Sequence, residues 1–146
     1  MRSGASGDSD TRSVRITVTE YAVDTFAWIE YFAGTPIGER ARTIIEDSGN
    51  RLVTPAPMLA EVRSKFIREG LDPEPPTLAI ESLSEVVPLD RALARSAGEE
   101  HARQRKTSKD FGMMDAFLLV TARSRSARVL TGDPHFRGLA EVEFLE

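Results

Sequence analysis

The sequence predicts an α/β fold, a sandwich of helices around a central, mostly parallel sheet. Two observations carry this. Short apolar runs of strand length alternate with longer segments whose apolar residues recur at helical spacing. Residues suited to caps, helix stops and turns fall between them. With 146 residues the chain forms one domain with a real core. A hydrophobic share of 40% against 29% charged residues is that of an ordinary soluble globular protein. No Cys is present, which rules out a disulfide framework, thiolate chemistry and Cys-based metal sites. No secretory or transmembrane stretch stands out, so a cytoplasmic protein is expected. A net charge of -4 with a pI near 5.3 argues against broad nucleic-acid coating but allows a local basic groove.

Met1 to about Arg15 is Gly, Ser, Asp and Arg with almost nothing apolar. It reads as a disordered leader without function, and residues 16–146 as the domain. Ile16–Asp24 is the first strand, with Val18, Ala22 and Val23 as its apolar members. Thr25 is placed to cap a helix over Phe26–Phe32, which Gly34 stops. Pro36 suits the first turn of the next helix, about Ile37–Asp47, whose Ile37, Ala41, Ile44 and Ile45 share a face. Ser48-Gly49-Asn50 turns the chain into a second strand, Arg51–Thr54. Pro55–Glu69 is a helix striped by Met58, Leu59, Val62 and Phe66, with Glu61 beside the stripe and Gly70 as its stop. A Pro-rich helix, Pro73–Leu83, precedes a third strand, Glu85–Leu89. Arg91 to about Arg105 is a polar helix that runs into a basic patch. Ala127–Leu130 is the fourth strand; a short helix over His135–Leu139 then leads to a last strand, Val142–Leu145.

Between the basic patch and the fourth strand lies Phe111–Ala122, apolar nearly all round with Asp115 in its middle. A helix hydrophobic on every face and too short to span a bilayer belongs in a core. Phe111, Leu118, Leu119 and Ala122 sit at helical spacing from Asp115, so its carboxylate is expected among apolar neighbours. An unpaired buried carboxylate costs several kcal/mol, and a cation, backbone donors or a metal must compensate.

Four acids stand out. Asp24 and Asp133 each close a strand and open a helix, which puts them at the carboxyl edge of the sheet, where ligands bind in such folds. Asp115 near a helix start and Glu61 in the first half of its helix suit the same end. Each has a plainer explanation: Asp133 before Pro134 as a helix cap, Asp24 likewise, Glu61 as a solvated helix residue, Asp115 in a salt bridge to a buried Arg. Together, carboxylates without Cys make a hard oxygen site suited to Mg²⁺ or Mn²⁺, able to activate water and neutralise a phosphodiester. His101 and His135 match no ligand spacing and receive no role. Arg103, Arg105, Lys106 and Lys109 form either a solvated face or counter-charges for a nucleic-acid backbone.

At this point the chain resembles a family. Val23–Phe32 resembles the opening motif of PIN-domain ribonucleases, in particular VapC-type toxins of VapBC toxin–antitoxin pairs. Thr54–Val62, with Glu61 as its acid, resembles their second motif; Met114–Phe117 the third; Leu130–Phe136 the fourth. All four occur in order, over a likeness that runs from about Val18 to the end of the chain. The resemblance implies a PIN fold and Mg²⁺- or Mn²⁺-dependent endoribonuclease activity, with a metal-activated water cleaving RNA. It implies an acidic cluster of Asp24, Glu61, Asp115 and Asp133, with Asp24 and Asp115 as principal metal ligands and Thr131 as a hydroxyl beside the site. It also implies a homodimer silenced by a cognate antitoxin. The leader before Val18 departs from the family pattern; the acids do not.

Two alternatives compete. A HAD-like phosphatase also places an Asp after its first strand, but wants a second Asp two residues on, where this chain has Phe26, and no Gly-rich phosphate loop follows any strand. A catalytically idle PIN-like scaffold or RNA-binding module is expected to have lost one or more acids, and all four positions here are acidic.

Overall fold

The structure, a computed structural model, describes residues 18–146. The proposed leader, and Ile16 and Thr17 of the expected first strand, lie outside the described residues. Strand β1 (Glu20–Val23) is the centre of a five-stranded sheet with β2 (Arg51–Pro55), β3 (Glu85–Val87), β4 (Arg128–Thr131) and β5 (Val142–Phe144). The order is β3-β2-β1-β4-β5, and every pairing is parallel. The helices are α1 (Thr25–Ala33), α2 (Pro36–Ile45), α3 (Ala56–Arg68), α4 (Glu74–Leu83), α5 (Arg91–Gln104) and α6 (Met113–Ser124), with a 3-10 turn at Pro134–Phe136.

Side chains alternate across the strands, and the register sorts them into two cores. Ala22 pairs with Val53 and with Val129, and all three face one side, packed with Met58, Ala97, Phe111, Leu118 and Leu119. Tyr21, Val23, Leu52 and Leu130 face the other side, with Ala27, Trp28, Ala41, Val62 and Ile80. The result is helix, sheet, helix in three layers. From β1 the chain moves outward through β2 to β3. It then returns over α5 and α6 to place β4 on the other side of β1. The carboxyl ends of β1 and β4 therefore flank the switch point where ligands of doubly wound sheets bind.

The expected elements all form, with shifted ends. Asp24, not Thr25, occupies the N-cap of α1, and its side chain makes no capping bond; Thr25 is the first helical residue. Thr35 caps α2 by accepting the Gly38 amide at 2.9 Å, with Pro36 just inside. Pro55 ends β2 instead of opening α3, and β3 stops at Val87. Helix α6 begins at Met113, so Phe111, though fully buried, belongs to the preceding loop. The expected helix after Asp133 is a single 3-10 turn.

Polar bonds fix the layers. The fully buried Trp28 donates Nε1–H to Thr54 Oγ1 at 3.1 Å; Thr54 and Ser84 bond at 2.8 Å, and Ser84 donates to the Ile80 carbonyl at 2.7 Å. The buried Glu100 accepts from Arg123 at 2.9 Å, from Gln104 at 2.7 Å and from Arg103, which holds α5 against α6. At the amino edge of the sheet Arg125 bonds Glu20 at 2.9 Å and Glu85 at 2.7 Å, tying the starts of β1 and β3. No helix among the described residues is long and apolar enough to cross a membrane.

Candidate active site

Asp24 follows directly on β1. Its amide continues the parallel ladder by bonding the Leu130 carbonyl at 3.0 Å, which leaves the side chain between the ends of β1 and β4. It is 8% exposed. Thr131, fully buried at the end of β4, donates Oγ1–H to Asp24 Oδ2 at 2.6 Å and accepts the Asp133 amide at 2.9 Å. Gly132, between Thr131 and Asp133, lets Phe26 and the Leu145 carbonyl pack close: a Cβ there would stand 2.8 Å from both the Leu145 carbonyl oxygen and Phe26 Cζ. Asp133 accepts the His135 amide at 2.9 Å, a local turn that Pro134 stiffens. From α6, Asp115 Oδ2 accepts the Gly112 amide at 2.8 Å and lies 2.8 Å from His135 Nδ1. From α3, Glu61 accepts the Thr25 hydroxyl at 2.7 Å.

Asp24, Glu61, Asp115 and Asp133 line one cleft of about 310 Å³, with Thr25, Phe26, Met114, Lys65 and Arg68. Burial differs from the sequence expectation. Helix α6 is not buried all round: Met113 and Met114, in its first turn, are exposed. Asp115 in that same turn is partly open, with 15% of its side chain accessible. The buried acid is Asp24. Burial pushes its pKa up from 3.8 to about 7; the Thr131 bond opposes this, and the charges of Asp133 and Asp115 reinforce it.

Nor does an Arg neutralise Asp115. Among the described residues the ion pairs of the four acids are those of Asp115 and Asp133 with His135, at 2.8 and 3.4 Å. His135 loses some proton affinity to desolvation, but the bond to Asp115 and the charges of Asp133, Asp115 and Asp110 hold its pKa above the ordinary histidine value. The donor set suits a divalent cation: four hard carboxylates line one cleft, and the buried one keeps its proton to near neutrality chiefly because burial disfavours its charge. His135 is the residue that sequence spacing missed, because Asp115, its partner, is 20 positions away. Lys65 and Arg68 were missed too, although Glu61, Lys65 and Arg68 lie at i, i+4 and i+7 on one helical face. None of Arg103, Arg105, Lys106 and Lys109 lines the cleft; Arg103 is held by Glu100 and Arg105 contacts His101.

The sequence profile of the PIN domain family matches residues 21–142. The chain belongs to the PIN domain family. That removes the HAD-like alternative. No curated protein matches the chain by sequence. This PIN domain is similar in structure to VapBC2 from Rickettsia felis bound to a promoter DNA fragment: TM-score 0.66, 14% identity, 88% of this chain and 98% of the other. It is similar to a sarcin–ricin loop-cleaving VapC toxin of Mycobacterium tuberculosis: TM-score 0.66, 17% identity, 88% of this chain and 100% of the other. VapBC-5 of the same organism gives TM-score 0.60 at 24% identity, over 88% of this chain and 98% of the other. At these identities the likeness speaks for the fold, and the five-stranded parallel sheet with helices on both faces is that fold.

Proposed function

We propose that this PIN domain is a divalent-metal-dependent endoribonuclease, the toxin of a VapBC-type pair. The observation that carries the reading is the convergence of Asp24, Glu61, Asp115 and Asp133, from four separate elements, on one cleft at the sheet's switch point. Asp24 and Asp115, with Asp133, would hold Mg²⁺ or Mn²⁺. When bound, such an ion supplies positive charge to the scissile phosphate and acidifies a water. The protein's own residues do the rest. Thr131 keeps Asp24 fixed at the floor of the cleft. Thr25 orients Glu61, leaving the Glu61 carboxylate a second oxygen with which to take a proton from an attacking water. Lys65 and Arg68 give the phosphate backbone counter-charges at the rim, and Met114 offers an apolar surface to a base. The toxin–antitoxin complexes among the similar structures support a protein antitoxin as partner; the homodimer stays what the family resemblance implies.

The test is cleavage of a mixed set of structured RNAs with Mn²⁺, wild type beside Asp24→Ala. Cleavage by wild type alone supports the nuclease. Activity in both variants sinks the assignment of the site, and silence in both, with no metal binding by calorimetry, favours the idle module.

RNA binding is expected to follow the rim. Lys65→Ala with Arg68→Ala should weaken binding and lower the salt slope by about two. Replacing Arg103, Arg105 and Lys106 with Ala should flatten it less, because none of the three lines the cleft. An unchanged slope in both would return these cations to the solvated surface.

A further inference from the structure

Three ligand-type side chains draw together at the edge of the cleft: Asp115 and Asp133, which line it, and His135, which stands beside them and is not an acid. Single donor atoms of Asp115, Asp133 and His135 all lie within 4.8 Å of one another. His135 Nδ1 is 2.8 Å from Asp115 Oδ2 and 3.4 Å from Asp133 Oδ1. Adjacent vertices of an octahedron with bonds of about 2.1 Å stand about 3.0 Å apart, so both separations fit neighbouring ligands on one ion. The ring is not a loose surface group. The Asp133 carboxylate fixes its backbone through the His135 amide, Pro134 restricts the residue before it, and Phe136 after it is fully buried against Phe111 with ring centroids 5.8 Å apart. About a third of the side chain stays accessible, so an ion can reach it from solvent.

We infer that His135 is a nitrogen ligand to the divalent cation beside Asp115 and Asp133, and that it biases this cleft toward Mn²⁺ over Mg²⁺. The inference rests on the nuclease reading and narrows it. Imidazole is a poor match for Mg²⁺ and a good one for later divalent metals, whereas carboxylates serve both. Carboxylates hold both ions, and a preplaced imidazole adds a donor that Mn²⁺ accepts more readily than Mg²⁺.

The experiment uses the full chain, stripped of metal by chelation and without RNA, with Mn²⁺ or Mg²⁺ alone as the probe. Affinities are measured by calorimetry at pH 8, and nitrogen coordination by pulsed electron paramagnetic resonance of bound Mn²⁺. Wild type should show ¹⁴N coupling. His135→Ala should lose that coupling and about tenfold or more in Mn²⁺ affinity, with a smaller change for Mg²⁺. His135→Gln, which keeps a polar side chain in the turn, should give the same pattern if the Ala variant folds poorly. Asp115→Asn should weaken both metals. Should the ring be only a counter-ion that the metal displaces, His135→Ala would bind Mn²⁺ more tightly, and wild type would show no ¹⁴N coupling; either result overturns the inference and leaves the nuclease standing. A wild type that binds neither ion overturns both.

Discussion

Asp24→Asn is expected to abolish RNA cleavage while making the metal-free protein more stable above neutral pH. The folded-state pKa of Asp24 is pushed up to about 7 from 3.8, chiefly by burial. Below pH 3.8 both folded and unfolded forms carry the proton, and the residue costs nothing. Between the two values the unfolded chain ionises while the folded one keeps its proton, so stability falls as pH rises. Above about 7 both are ionised and the whole penalty applies. Linkage puts that penalty at about 4 kcal/mol, and the imperfect replacement of the Thr131 bond reduces the net gain from Asn to about 2–3 kcal/mol. Urea unfolding of both proteins at pH 5 and pH 8, in chelator, checks this: the curves should lie close together at pH 5 and apart at pH 8. Adding Mn²⁺ should raise the wild-type midpoint and leave the Asn variant nearly where it was. Equal responses to metal would mean that Asp24 is not a ligand.

Thr131→Val is the second substitution with a large expected effect. Valine matches the shape of threonine, so the fully buried site keeps its packing and loses one hydroxyl. That hydroxyl serves two partners, donating to Asp24 and accepting from the Asp133 amide. Leaving both unpaired should destabilise the protein by about 2–4 kcal/mol. Without the donor the Asp24 proton is held more tightly, so the alkaline shift needed to ionise it grows and cleavage should rise later with pH. Thr131→Ser, which keeps the oxygen, should restore most of the rate and the wild-type pH profile. A Val variant as stable as wild type would mean that the bond is not formed in solution.

Much of this was legible in the sequence, because strand and helix periods, caps and stops are local. Ile37, Ala41, Ile44 and Ile45 announce α2, and Val53 and Thr54 announce β2, without reference to anything distant. Three of the acids were legible because Asp24, Asp115 and Asp133 sit at transitions between elements, which the parallel order carries to one edge; Glu61, inside the first half of α3, was legible from its place on a helix that starts at that edge. Which acid is buried was not. Counting helical neighbours placed Asp115 in an apolar setting, but the first turn of α6 projects past the sheet, so Met113 and Met114 face solvent. Burial of Asp24 depends on β4 and Thr131 closing over it, and those lie far along the chain. His135 was missed for a similar reason: its meaning comes from Asp115, and only the return of the chain from α6 through β4 brings the two together. The cations lining the cleft are two residues on the helix of Glu61, while the denser run at 103–109 contributes none. Density of charge in a sequence says little about which way the charges point.

The bond from Thr131 to Asp24 spans 107 positions. During synthesis β1 emerges before all six helices and must wait for β4, which follows them. Until then Asp24 and Glu61 exist without Asp133, and the floor of the cleft has no wall beside it. Any product that ends just before β4 has Asp24, Glu61 and Asp115 but neither Thr131 nor Asp133, and no complete site. On the proposed reading as an RNA-cleaving toxin, order of synthesis becomes a safety catch: a nascent chain has no complete acidic site until β4 and Asp133 have been made.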